Sequence, residues 1–289
     1  MKKFLRILKS IVPLLYLLGI FYLLLNNEAI SEKINIPLWS IPAVALVSLI
    51  YLAYLYIDLY FKVGRLEYQF TSVVNHTFRT PITSIFWFTK ELEKDLIQSE
   101  KLLYLQNIDN SINKILGIVD IFAGIKDVND ISSYFFKATS LREVVEKSLE
   151  KYREAINKKN IKFNVSTFKG IPLLTVDLKK ITFVVDTLVE NAILYTKNDG
   201  RILITCSSNS KKLTLIISNN GLGLKLVDKM RIFSKFYRGE KARLMNTDGM
   251  GLRLYLSKQI VKRHHGKIYA KSKGEDEGTT FFVELPFRR

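Results

Sequence analysis

Cysteine is almost absent from this chain of 289 residues; Cys206 is the single one. An internal disulfide and a zinc cluster built on several thiolates are thereby excluded, and a reducing compartment suits the bulk of the chain. Histidine is nearly as scarce, with only His76, His264 and His265. Zinc-ligand spacing, an RNA-binding aromatic motif and a concentrated basic helix are all missing. No direct nucleic-acid partner is therefore expected, although Lys and Arg outnumber Asp and Glu by 44 to 27 for a net charge of +17. The basic residues are spread along the chain, which suits a solvated surface near anionic lipid. A hydrophobic content of 48% with 25% charged residues describes a folded chain, and the length admits more than one domain.

Charge is missing altogether from two stretches near the N-terminus. The first, Ile11–Leu25, follows Lys2, Lys3, Arg6 and Lys9; the second runs from Ile41 to Ile57, with Trp39 at one end and Tyr54, Tyr56 and Tyr60 near the other. Aromatic residues at the ends of apolar runs suit a lipid interface, so two membrane-spanning helices are expected within residues 1–61. Asn26-Asn27-Glu28 is a poor cleavage site and a second apolar run follows, which argues against a signal peptide. Basic residues before the first run and at Lys62 and Arg65 after the second place both termini in the cytoplasm of a multi-pass cell-membrane protein. Two buried core helices are the competing reading. The loop between the runs is too short to fold around a ligand. No proline interrupts residues 61–76, so the second span is expected to continue as helix toward His76.

Histidine returns in V-N-H-T-F-R-T-P-I-T, residues 74–83. Phe70, Val74, Phe78, Ile82, Ile85, Phe88 and Leu92 recur around it at helical spacing, which sets His76 beside an apolar stripe where its imidazole can act as a nucleophile. Pro81 lacks an N–H, so a bend is expected there. After a turn near Gln98-Ser99-Glu100, a second helix carries Leu105, Ile108, Ile112, Ile115, Val119 and Phe122, alternating three and four. The pair reads as an antiparallel hairpin over residues 62–128 that closes as a homodimeric four-helix bundle, or packs as a monomer on the next domain. A linker is expected near 126–140. Beyond it, helices 141 onward, 178–194 and 251–264 alternate with strand-like runs 161–165, 173–176, 201–207, 212–218, 267–272 and 279–285. That order reads as an α+β sandwich over residues 129–289, with helices on one face of an antiparallel-rich sheet.

Glycine is used sparingly, and it clusters. I-S-N-N-G-L-G-L (217–224) ends a strand with Gly221 and Gly223, and D-G-M-G-L-R-L-Y (248–255) leads Gly249 and Gly251 into a helix N-terminus, where free N–H groups suit phosphate. V-E-N-A-I-L-Y-T (189–196) sets Asn191 late in a helix, and I-F-S-K-F-Y-R-G (232–239) offers Phe233 and Phe236 as lid anchors beside Arg238.

Together with the string around His76, these four stretches resemble two-component sensor histidine kinases over about Tyr68 to the C-terminus. His76, Phe78, Arg79, Thr80, Pro81 and Ile82 match the phosphoacceptor motif; the later stretches match the ATP-binding domain of the fold shared with gyrase, Hsp90 and MutL. The resemblance implies autophosphorylation of His76 from ATP and transfer to an aspartate on a response regulator receiver domain. It implies that Thr77 orients the imidazole, Arg79 steadies the phosphoryl group and Thr80 positions water for dephosphorylating the regulator. It implies that Asn191 binds Mg2+, that Asn219 accepts from the adenine amino group, and that Tyr195, Gly221, Gly223, Phe236, Arg238, Gly249, Gly251, Leu252, Arg253 and Thr279 line the nucleotide site. The chain departs from the family at Thr77, where an acid is usual, at Leu194 for lysine, at Asn219 for aspartate and at Arg253 for a third glycine. A degenerate ATP-binding or docking module, or a regulator phosphatase with little autokinase activity, is the alternative. With no room for a sensor domain, the signal is expected to enter from lipid or a membrane-protein partner.

Overall fold

The computed structural model describes residues 19, 40–94, 97–128, 130–166, 170–246 and 249–287; within them the side chains of residues 40–45, 62, 63, 65–70, 72, 73, 76, 126 and 131 lie outside the description. The chain divides into two compact units, residues 1–71 and 72–289.

In the first unit the described chain is the beginning of helix α1 (Ser40–Leu92). Leu46, Val47, Leu49, Ile50, Tyr54, Tyr56, Ile57, Leu59, Tyr60 and Phe61 are exposed along it. The run expected as a first span, Ile11–Leu25, lies outside the described residues apart from residue 19. Among the described residues no helix is long and apolar enough to cross a membrane, so the pair of spans expected from hydropathy is not found there.

In the second unit α1 continues to Leu92, unbroken through Pro81. Proline removes one hydrogen bond of the helix, but Pro81 is itself buried and Phe78 one turn before it packs against the core. Helix α2 (Gln98–Asp127) is the other arm of the hairpin. Phe78 stacks on Phe122 with ring centroids 6.3 Å apart, and Phe88 stacks on Tyr104 at 5.7 Å. Of the stripe expected on α2, Leu105, Ile112 and Val119 are exposed and Ile108, Ile115 and Phe122 are half-buried; the residues of α2 buried in the core are instead Ile118 and Ile121, which the expected stripe did not include.

The rest of the unit is β1 (Phe136–Thr139), α3 (Leu141–Lys151), α4 (Arg153–Lys158), β2 (Lys162–Ser166), β3 (Leu174–Asp177), α5 (Leu178–Tyr195), β4 (Arg201–Ser208), β5 (Lys212–Asn219), α6 (Leu226–Arg231), α7 (Glu240–Met245), α8 (Arg253–Arg263), β6 (Lys267–Lys271) and β7 (Thr279–Pro286). Five strands form one sheet in the order β2-β4-β5-β7-β6, with β2 parallel to β4 and the other neighbours antiparallel. Period-two burial along β5 and β7 turns Leu213, Leu215, Ile217, Phe281, Val283 and Leu285 to the core, where they join Val184, Leu188 and Ala192 of α5 and Leu256 and Ile260 of α8. The stretch expected as a linker holds β1, which pairs antiparallel with β3 from Phe136↔Asp177 to Thr139↔Leu174. Its four residues carry no period of their own; the distant partner strand makes them a strand.

Caps fix the helix that carries Asn191. The Asp177 side chain accepts from Lys180 N (2.9 Å) at the start of α5 and from Phe135 N (2.9 Å), so one carboxylate ties the exit of the hairpin to the helix. The Asp177 N–H in turn donates to His264 Nε2 at 3.0 Å, and the other ring nitrogen lies 2.8 Å from Ile260 O. His264 is therefore a buried structural residue at the end of α8.

Candidate nucleotide and phosphoacceptor site

Four loops and a helix converge because small residues let their backbones touch. Leu222 N donates to Tyr195 O at 3.1 Å, bringing the turn after β5 onto the end of α5; a side chain at Gly221 would run into that same carbonyl. Gly251 has φ of +67°, and a Cβ there would sit 2.8 Å from the Phe236 backbone. The loop before α8 and the loop after α6 are thus in backbone contact.

Between them lies a cavity of about 1310 Å³. Asn191, Leu194 and Tyr195 of α5 line it, together with Asn219, Leu222, Gly223, Arg238, Gly249, Met250, Gly251, Leu252, Arg253, Thr279 and Phe281. Thr77, Pro81, Ser84 and Phe88 of α1, and Asn107, Asn110, Ser111 and Lys114 of α2, line it from the hairpin. The structure therefore brings Thr77 to the same cavity as most of the sequence-derived nucleotide residues. Arg79 and Thr80 are exposed and do not line it. Gly221 and Phe236 support its walls from behind, and Phe236 holds a left-handed backbone at φ +60° while packing on the core. The His76 side chain and the whole of Asp248 lie outside the described residues.

Each polar wall residue has a defined state. Asn191 Nδ2 donates to Thr187 O at 2.6 Å, which leaves its amide oxygen as the atom available to a cation. Asn219 is buried at the end of β5, and one orientation of its carboxamide satisfies both ends. In it the nitrogen donates to Thr279 O (2.9 Å) and the oxygen accepts from Gly221 N–H (3.2 Å) with the Thr196 hydroxyl at 3.1 Å. The reverse orientation would keep only a bond to Thr196 and set like against like at the other two contacts. Arg238 donates to Gly249 O (2.8 Å) and Ala242 O (2.9 Å), clamping the two loops at its own position. Burial pushes the Tyr195 hydroxyl above its ordinary range, with the Arg238 guanidinium beside it partly offsetting this.

Arg253, the position at which the resembled family has a third glycine, lines the cavity and is engaged by residues of α5. Its Nη1 pairs with Glu190 Oε2 at 2.7 Å, and its guanidinium lies over the Phe183 ring at 5.5 Å. It binds α8 to α5 at the cavity rim. Leu194 puts an apolar group on the cavity wall. Helix α7 above the cavity is held at its flank by Lys241 to Asp276 (2.9 Å) and Lys225 to Glu240 (3.3 Å).

Sequence reasoning missed three contributors. Glu190 holds Arg253, Thr196 faces Asn219, and Lys159 Nζ donates to Ile193 O, Leu194 O and Thr196 O at 2.8, 2.9 and 3.0 Å. Glu190 and Thr196 stood inside the V-E-N-A-I-L-Y-T stretch, but Lys159 is far from it in sequence and had no local signal.

Among the described residues no group of three or more His, Cys, Asp and Glu could hold a metal. The walls fit a nucleotide: an apolar recess of Leu222, Met250, Leu252 and Phe281 with Asn219 and Thr279 at one end suits a planar base, and the glycine loops with Arg238 suit phosphates.

Comparison with known proteins agrees with this geometry. Residues 176–289 match the family described as histidine kinase-, DNA gyrase B-, and HSP90-like ATPase. The chain is 30% identical over 234 residues to the sensor protein kinase WalK of Staphylococcus aureus, an alignment covering 78% of this chain and 55% of that relative. In WalK of S. aureus strain JH9 the same identity covers 37% of the relative, so the chain spans roughly a third to a half of the curated proteins it matches. Histidine kinase ThkA, solved in complex with the response regulator protein TrrA, superposes with a TM-score of 0.58 at 26% identity, covering 81% of this chain and 66% of ThkA. The Acinetobacter baumannii histidine kinase AdeS shares the fold at 18% identity, with a TM-score of 0.56 over 74% of this chain and 98% of AdeS. The C-terminal domain thus belongs to the histidine kinase-, DNA gyrase B-, and HSP90-like ATPase family, and the chain is a homologue of the sensor histidine kinases.

Proposed function

We propose that the chain is a protein-histidine kinase that phosphorylates His76 from ATP and passes the phosphoryl group to an aspartate of a response regulator. One observation carries this reading: a single cavity is lined by Thr77, next to His76, and by the glycine loops and Asn191. ATP binds with its base in the recess at Asn219 and Thr279 and its phosphates at the loops Gly221–Gly223 and Gly249–Gly251. The His76 imidazole attacks the γ-phosphorus, and the bond to the β-phosphate oxygen breaks to leave ADP. Such transfers depend mostly on positioning and charge neutralisation. Asn191 would contribute one amide oxygen to a Mg2+ whose other ligands are phosphate oxygens and water, a shell that magnesium accepts. That cation would neutralise charge on the β- and γ-phosphates.

Thr77 orients the imidazole by hydrogen bond but cannot take its proton. Arg79 and Thr80 are exposed on α1 and do not line the cavity; Arg79 steadies the phosphoryl group and Thr80 positions water for dephosphorylating the regulator. The exposed Leu105, Ile112 and Val119 of α2 suit closure against a second copy as a four-helix bundle. The apolar runs at 11–25 and 41–57 are assigned to the membrane with both termini in the cytoplasm, and the bare apolar surface of residues 46–61 supports that reading.

A second reading, a docking module or regulator phosphatase with little autokinase activity, is favoured by Thr77, by Leu194 on the cavity wall and by the engagement of Arg253 with Glu190. Incubation with γ-labelled ATP separates the readings. Acid-labile, base-stable label on the protein supports the kinase; nucleotide binding without label supports the module; free phosphate without label would make the chain an ATPase.

A further inference from the structure

The Asn219 carboxamide has four hydrogen-bonding valences, two on oxygen and two on nitrogen. Gly221 N–H takes one of the oxygen's, and the Thr196 hydroxyl stands over the other at 3.1 Å. Ala192 O lies 2.5 Å from the same Thr196 hydroxyl, whose one proton serves one of the two acceptors at a time; in either case the hydroxyl occupies that side of the Asn219 oxygen. On the nitrogen, one N–H goes to Thr279 O at 2.9 Å. The valence left for a ligand in the recess is the second N–H. Asn219 therefore offers the base a donor, not an acceptor.

We propose that the recess takes purine nucleotides with a carbonyl at C6, the inosine class, at least as well as ATP. The proposal rests on the nucleotide-binding reading above and specifies its base. A C6 carbonyl accepts the free Asn219 N–H, whereas the amino group of adenine sets a second donor against it. A buried donor left facing a donor is penalised on both sides. An aspartate at this position would invert the pattern, because a carboxylate only accepts and would repel the carbonyl.

The test is competition against a ribose-labelled fluorescent nucleotide on the full-length protein, using ATP, inosine triphosphate and purine riboside triphosphate, which carries only hydrogen at C6. The expected order of affinity is inosine, then purine riboside, then ATP. Asn219→Asp should move the ATP-to-inosine affinity ratio toward ATP by about tenfold, the scale of one well-placed hydrogen bond. The ratio is the informative quantity, because the carboxylate also faces Thr279 O and loses affinity for every nucleotide alike. Tighter binding of ATP than of inosine triphosphate by the wild-type protein would overturn the proposal, with no variant required. An unchanged ratio in Asn219→Asp would overturn it as well. Failure of all three nucleotides to compete would remove the nucleotide-binding reading itself, a distinguishable result.

Discussion

Tyr134 shows how single residues hold the site together from outside it. Its ring stacks on Phe136 with centroids 6.0 Å apart and meets His264 edge-on at 5.7 Å, and its hydroxyl donates to Val128 O at 3.4 Å. Burial pushes that hydroxyl up to about 12. The fold therefore holds the phenolic proton more tightly than the unfolded chain does. The stabilisation is fully present below the ordinary tyrosine value of about 10 and is lost as pH rises from there through about 12. The melting temperature of the wild type should fall more steeply between about pH 9 and 11 than that of Tyr134→Phe, compared by calorimetry. Parallel slopes would show that Tyr134 titrates alike in both states. At this scale the sequence was informative where chemistry is local. Asn191, Asn219, Arg238 and the paired glycines announced themselves through short strings. Arg253 did not: its direction depends on Glu190 and Phe183, which another helix supplies.

Helix α5 is the element on which the candidate site hangs, since it carries Asn191, Leu194 and Tyr195. Asp177 caps its start and Lys159 its end. The last carbonyls of a helix carry partial negative charge and lack intrahelical donors, so an ammonium shared among three of them is well placed. Lys159→Met keeps the length of the side chain and removes the donors. It should destabilise the domain by about 1.5–3 kcal/mol, the range for hydrogen bonds to charged groups, and loosen the turn that Asn219 and Thr196 share. Urea melts would read the first effect and nucleotide titration the second; full stability in this variant would mean that water caps the helix equally well. Periodicity made α5, β4, β5 and β7 legible, because each is long and turns one face to the core. β1, α4, α6 and α7 were not, being too short to show a period and fixed by partners remote in sequence.

On the scale of the whole molecule, α1 is unbroken from Ser40 to Leu92 and passes through the stretch 74–83 that holds His76. If the signal enters through the apolar N-terminal stretches, that helix is the physical carrier, and a packed hairpin responds by switching between discrete arrangements. One residue inserted between Phe61 and Tyr68 turns His76 by about 100° against the residues before it. Seven restore the phase of a coiled coil. Single insertions should lock or abolish activity in membranes and seven-residue insertions should largely preserve it. Equal activity across one to seven would rule out the helix as transmitter.

The central claim is that the nucleotide cavity serves His76, and the most direct measurement is the site of phosphorylation. The full-length protein would be incubated with ATP and Mg2+, digested at neutral to alkaline pH, and its peptides mapped by mass spectrometry beside His76→Ala. The account predicts phosphohistidine at His76 and none in the variant, which should still bind nucleotide. Phosphate at His264 or His265, or equal labelling of the variant, would contradict it.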